Sequence, residues 1–160
     1  MKNLSGGAAL LSVFALAQQH HIREQPLPFS HKQHISLGLT CKDCHANPDP
    51  GAVETLPSTS KCMACHVSTA AESPAIKKLK AYAGEKQPIP WARVYQVPDF
   101  VFFSHRAHLK AGFKCEKCHG PVATRDALWK ETDLSMGGCI ACHRRNRAGI
   151  ACTYCHENLQ

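Results

Sequence analysis

Two stretches of this chain carry a legible apolar pattern. Residues 1–17, MKNLSGGAALLSVFALA, place Lys2 before an apolar run of about ten residues that ends in Ala15-Leu16-Ala17. That is the order of a secretory signal, with a basic start, an apolar middle and a small-residue cleavage site. The run is short of the roughly 20 residues a membrane span needs. Cleavage before Gln18 is expected, with retention as an uncleaved anchor the alternative. The second pattern lies at Ala75 to Ala83, where Ile76, Leu79 and Tyr82 recur on one helical face. Ser73-Pro74 supplies an N-cap and a first helical residue, and Gly84 a stop. Beyond it, Pro88, Pro90 and Pro98 predict an extended passage. Ile76, Leu79 and Tyr82 are expected to pack, as are Trp91 and Trp129.

Composition changes the picture at the cysteines. There are 10 in 160 residues, and all fall into Cys-x-x-Cys pairs. These are Cys41/Cys44, Cys62/Cys65, Cys115/Cys118, Cys139/Cys142 and Cys152/Cys155, each followed at once by a histidine: His45, His66, His119, His143 and His156. Cys-x-x-Cys-His is the attachment signal for c-type haem. Two thiols so spaced form thioethers to two vinyl groups on one porphyrin edge, and the adjacent imidazole reaches the iron as proximal ligand. Structural zinc, a redox dithiol or a disulfide scaffold each accounts for paired cysteines, but none requires the trailing histidine. With 11 histidines in the chain, five such coincidences are on the order of one in a million.

Five haems c in this length leave one per 32 residues. So many attachment points leave little room for a protein core, and the porphyrins themselves become the core. The expected fold is mainly α with much irregular structure and almost no sheet. The charge of +7 normally points to nucleic acid or an anionic membrane, but five haems add about ten propionates and cancel it. No nucleic-acid partner is expected.

A repeat organises the chain. FSHKQHISLGLTCKDCH at residues 29–45 aligns without gaps to FSHRAHLKAGFKCEKCH at residues 103–119, with 8 of 17 positions identical. Each copy is followed by a second attachment site. Duplication therefore gives a two-haem module at residues 26–68, a linker at 69–97, a second module at 98–143 and a fifth haem segment at 144–160.

Six histidines remain for the distal faces of the irons: His20, His21, His31, His34, His105 and His108. Two histidines in a His-x-x-His pair leave one helical turn in different directions, so each pair is able to serve two haems.

Phe-Ser-His-x-x-His followed by Cys-x-x-Cys-His resembles the class III, low-potential multihaem cytochromes c. The resemblance implies that His31 ligates the haem of His45, that His105 ligates the haem of His119, and that His34 and His108 reach two others. The fifth distal ligand is then His20 or His21, and Met136, three residues before Cys139, competes for its own haem. From Ile89 to Val122, extended by Leu134–Cys139, the second half looks like the multihaem subunits of membrane quinol-oxidising complexes. Examples are the pentahaem subunit of alternative complex III and the menaquinone reductase cytochrome subunit. This implies redox protein partners, a periplasmic location and membrane association through the N-terminus.

The expected function is electron transfer without bond chemistry. Irons with histidine on both sides are closed to substrate. The rival is a multihaem reductase with one open iron. The pentahaem nitrite reductases mark that iron with lysine in place of the proximal histidine, and no Cys-x-x-Cys-Lys occurs here.

Overall fold

The computed structural model describes residues 21–45 and 55–156. The N-terminal segment, His20, residues 46–54 and residues 157–160 lie outside the described residues. Seven short α-helices and two 3₁₀ turns account for the regular structure, and no strand occurs among the described residues. The helices are α1 (His31–Ser36), α2 (Cys41–Cys44), α3 (Thr59–His66), α4 (Pro74–Gly84), α5 (His105–Lys110), α6 (Glu116–His119) and α7 (Met136–Arg145). The 3₁₀ turns span Val122–Thr124 and Cys152–Tyr154. None of the described helices is long and apolar enough to cross a membrane.

Local chemistry starts the helices. Ser30 Oγ accepts the Gln33 amide at 3.0 Å, and Ser104 Oγ accepts the Ala107 amide at 3.3 Å, so the two copies of Phe-Ser-His open on the same serine cap. Thr40 opens α2, its amide and hydroxyl both donating to the Asp43 carboxylate, at 2.6 and 2.8 Å. Burial plays no part in holding the Asp43 carboxyl below its ordinary range: these hydrogen bonds do it. Gly38 (φ +89) and Gly112 (φ +88) turn the chain after α1 and α5 through the left-handed region, where a side chain is strained.

The linker helix forms where its periodicity predicts. Pro74 begins α4, and the helix includes Gly84. Its left-handed closing residue is Lys86 (φ 55), shortly after the glycine, with the Lys86 and Gln87 amides bonded back to Ala83 and Tyr82 carbonyls. Leu79 is buried, and Ile76 and Tyr82 pack beside it as the pattern requires.

The described protein core is Leu27, Leu79 and Ile89, with Cys62, Met63, Ile76, Tyr82 and Trp91 packed against it. Three buried apolar side chains are far too few to hold a chain of this length. Other ties are polar. The Gln25 side chain exchanges two hydrogen bonds with the Ala92 backbone, at 2.9 and 3.0 Å, and fixes the proline-rich passage to the start of the first repeat. α1 packs on the Val122–Thr124 turn. There the Lys32 amide donates to the Arg125 carbonyl at 3.0 Å, and the Ser30 hydroxyl to the Asp126 carboxylate at 2.5 Å.

Candidate haem-binding sites

The five motifs are numbered I to V in sequence order, from Cys41–His45 to Cys152–His156. Each lies on a helical turn, which brings residues three and four apart to one face. In sites I, III and V the histidine amide donates to the carbonyl of the first cysteine, at 2.8, 3.0 and 2.9 Å. The turn thus closes on the motif itself. Sites II and IV lie within the longer α3 and α7.

Four motif histidines face a second imidazole. His31 and His45 are parallel, with ring centres 6.5 Å apart and planes at 11°. His105 and His119 repeat this at 6.4 Å and 12°. His34 faces His66 at 6.1 Å and 62°, and His108 faces His143 at 6.0 Å and 50°. An imidazole–metal bond of about 2.0 Å puts two opposed nitrogens about 4 Å apart and their ring centres roughly 6.2 Å apart. All four pairs match that span, so each gap fits one iron and its porphyrin plane. Met136 is exposed at the start of α7, while His108 is the residue facing His143.

Backbone carbonyls fix the tautomer. The Nδ1 atoms of His34 and His108 lie 2.8 Å from the Ser30 and Ser104 carbonyls. Those of His45, His66, His143 and His156 lie 2.9, 3.0, 2.6 and 3.0 Å from the carbonyls of Thr55, Thr69, Gly149 and Phe100. A carbonyl only accepts, so Nδ1 carries the proton and Nε2 keeps the lone pair that a metal needs. Burial, then the neighbouring His45 and His34, lowers His31 to about 4. His105 is lowered by burial and then by His108, and His119 by burial and then by His105 and His45. All three are neutral near pH 7, the state that binds metal. The buried Nδ1 atoms of His31 and His105 have no hydrogen-bond partner among the described residues, an equivalence between the two copies.

The ten thiols are free of disulfides, and they are not equally covered. Cys41, Cys65, Cys115 and Cys152 are exposed, whereas Cys44, Cys62, Cys118, Cys139, Cys142 and Cys155 are half-buried. In sites I, III and V the open thiol is the first of the motif. Site II reverses that order: Cys62 packs against the apolar core, and Cys65 is the one that faces solvent. The reversal follows from α3 lying on α4, which covers the Cys62 end of the motif. Cys65 still closes its own turn through its carbonyl, which accepts the Thr69 amide at 3.0 Å.

Burial raises Cys62, Cys115, Cys118 and Cys139 above their ordinary range. The next cause in each case is a cysteine of another motif: Cys44, Cys41, Cys142 and Cys155 respectively. Among the described residues no three His, Cys, Asp or Glu side chains converge as a metal cage. The arrangement is therefore opposed imidazole pairs beside paired thiols, which suits haem and not tetrahedral zinc.

Several supporting residues are found only in three dimensions. Phe29 stacks on His34 at 4.4 Å and presents its edge to His31 at 4.8 Å; Phe103 treats His108 and His105 alike, at 4.7 and 4.9 Å. Their place in the repeat is the sequence signal for them. Tyr95 meets His119 at 4.4 Å, donates from its hydroxyl to the Cys118 carbonyl at 3.1 Å and accepts the Glu131 amide at 2.8 Å. Arg125 lies 3.7 Å over the Trp129 ring and pairs with Glu131. Trp91 packs on the core, as expected, with its edge to Phe29 at 6.2 Å.

Site V differs. Among the described residues no imidazole faces His156; the ring against it is Phe100, at 5.9 Å and 27°. His21 is exposed and lines a cleft with Arg23, Arg93, Val94, Gln96, Trp129 and Lys130. The structure thus brings together the two pairs expected by name, His31–His45 and His105–His119, and gives His34 and His108 their partners in His66 and His143; the other candidate, His20, lies outside the described residues.

Known proteins agree with this chemistry. Residues 12–89 match the class III cytochrome C family, and residues 101–157 match cytochrome c7 and related cytochrome c. The chain is also similar to "Menaquinone reductase, multiheme cytochrome c subunit" of Nitratidesulfovibrio vulgaris. The two are 31% identical over 163 residues, covering 84% of this chain and 78% of the relative. A duplicated histidine-pair device, paired thiols on helical turns and these relationships lead to one assignment: the chain belongs to the multihaem c-type cytochromes of the class III and c7 kind, which bind haem c covalently and transfer electrons.

Proposed function

We propose that this chain binds five haems c and carries electrons outside the cytoplasm, without itself catalysing bond chemistry. The observation that carries this reading is the set of four opposed imidazole pairs, each spaced for one iron. Bound haem supplies one-electron chemistry at iron, and every other part of the task falls to the protein.

The two cysteines of each motif hold the porphyrin edge. His45, His66, His119, His143 and His156 are the proximal ligands, and His31, His34, His105 and His108 are the distal ligands of sites I, II, III and IV. His20 or His21 completes site V. Ligation by imidazole on both faces excludes substrate from the iron and favours low potentials. The repeated serine caps, phenylalanine wedges and glycine turns support two duplicated two-haem modules, with site V appended.

The relative's printed name places it in a menaquinone reductase. By that likeness the partners here are a membrane quinone-reactive complex on one side and another redox protein on the other, meeting in the periplasm. The apolar segment at residues 1–17 directs the export that this location requires.

Haem-to-protein stoichiometry, from the pyridine haemochrome spectrum and the intact mass of protein made in a haem-attaching host, tests the reading. Five haems per chain with low-spin spectra are expected. Fewer than five, or a high-spin iron that binds small ligands, overturns it in favour of incomplete loading or of a reductase.

A further inference from the structure

Each repeat helix holds histidines for two sites. On α1, His31 faces site I and His34 faces site II, with the Phe29 ring against both. On α5, His105 faces site III and His108 faces site IV, with Phe103 between them. A spacing of three residues on one helix keeps the two sites of each pair adjacent. Sites II and I are therefore neighbours, and so are III and IV. Cys62 lies within electrostatic reach of Cys44, and Cys118 of Cys142, in keeping with this neighbourhood on the thiol side.

The junction between the halves is equally specific. The Cys41 and Cys115 thiols lie close together, which brings site I next to site III. Ser30 and Lys32, at the start of α1, bond to Asp126 and Arg125, which follow His119 closely. No counterpart of this clasp among the described residues ties site II to the second half. At the far end, His143 donates to Gly149 and the Tyr154 ring lies against Gly149, while Cys139 stands beside Cys155. Site V therefore joins site IV. The His156–Phe100 bond at 3.0 Å and the Phe102–Cys155 bond at 2.8 Å hold it against the stretch of chain that leads into α5.

We infer that the five attachment sites form one unbranched row in the order II, I, III, IV, V. The first site in the sequence is thus an interior one, and sites II and V are the two ends, where the two redox partners meet the protein. The inference rests on the five-haem reading above and adds to it the connectivity. It places the junction between the halves at sites I and III, clasped by Ser30–Asp126, so that nothing passes from one end to the other except across that seam.

The test is a potentiometric titration of the holoprotein, with each haem followed by NMR or EPR, in wild type and in His34→Met. Methionine in place of a distal histidine raises the potential of its own haem, so site II is reduced first in the variant. The charge lost there makes its immediate neighbour harder to reduce. Site I is expected to fall by about tenfold in its reduction equilibrium, about 59 mV for one electron, while sites IV and V hold their wild-type values. In His108→Met, site IV rises, sites III and V fall, and sites I and II hold. Should either variant load poorly, the pairwise interaction potentials of the unaltered holoprotein give the same connectivity. A site II change felt at IV or V, or a site V that answers to III and not to IV, overturns the row. Fewer than five haems in wild type instead defeats the reading on which the row is built.

Discussion

Around His45 and around His119 the same ligand geometry is built with different supports. The opposed rings differ by 0.1 Å in spacing and by 1° in tilt, taking 6.5 Å and 11° against 6.4 Å and 12°. The serine caps, the phenylalanine wedges and the left-handed glycines match as well. What differs is the wall behind the proximal histidine. His45 is anchored by the Thr55 carbonyl, ten residues on. His119 is backed by the Tyr95 ring, with the Arg125–Glu131 pair and Trp129 beyond it. Gly120 (φ +70) lets that wall approach, because a Cβ there meets the Glu131 and Arg125 side chains at 2.6 and 2.9 Å. Ligand geometry is thus a property of the short repeated motif, whereas enclosure is a property of sequence far from it.

Removing the cofactors strips both halves of their common support and has the largest effect. With Leu27, Leu79 and Ile89 as the described core, the haem-free chain is expected to lose cooperative unfolding altogether, by circular dichroism against temperature, while the holoprotein keeps a sharp transition. A sharp transition in the haem-free chain contradicts this. Next come the equivalent ligands. His31→Ala and His105→Ala are each expected to convert one haem to high spin, read in the absorption spectrum, with the other half unchanged. A third change separates the halves. Tyr95→Phe takes the acceptor from the Glu131 amide, while the Cys118 carbonyl keeps the Thr132 hydroxyl at 2.7 Å. It is expected to cost about 1–3 kcal/mol in denaturant unfolding and to shift the site III spectrum alone. The smallest effect restores the likeness: Gly38→Ala and Gly112→Ala, both at positive φ, are expected to destabilise by a similar amount, about 1 kcal/mol each.

Residues whose partners are near in sequence are legible in the sequence itself. The helix at Pro74–Gly84 follows from Ser73-Pro74 and the spacing of Ile76, Leu79 and Tyr82, all within one element. The attachment turns follow from their own five residues, and His31, His34, His105 and His108 stand out because the chain repeats them. Which thiol of a motif lies open is not legible: Cys65 is the outer one of its pair because α4 packs over the other end of α3. Tyr95, Arg125 and Phe100 do not stand out as supports either. Tyr95 reaches Cys118 across 23 positions, His156 reaches Phe100 across 56, and Ser30 reaches Asp126 across 96. Contacts at such separations are fixed by tertiary packing and leave no periodic mark on the sequence. The candidates proposed for the face opposite His156, His20 and His21, belong to no repeat, so the sequence pattern does not choose between them.

If each opposed imidazole pair brackets one iron, the tilt of the rings has a spectroscopic form. Near-parallel imidazole planes and steeply crossed planes give different low-spin ferric EPR spectra. The most direct measurement is therefore the EPR spectrum of the fully oxidised holoprotein, compared with those of His31→Ala and His34→Ala. Two rhombic signals are expected from the parallel pairs at sites I and III, and two large-g signals from the crossed pairs at sites II and IV, beside the signal of site V. His31→Ala removes one of the first kind and His34→Ala one of the second. A single class for all four, or variants that remove the wrong one, contradicts the bracketing of iron by these pairs.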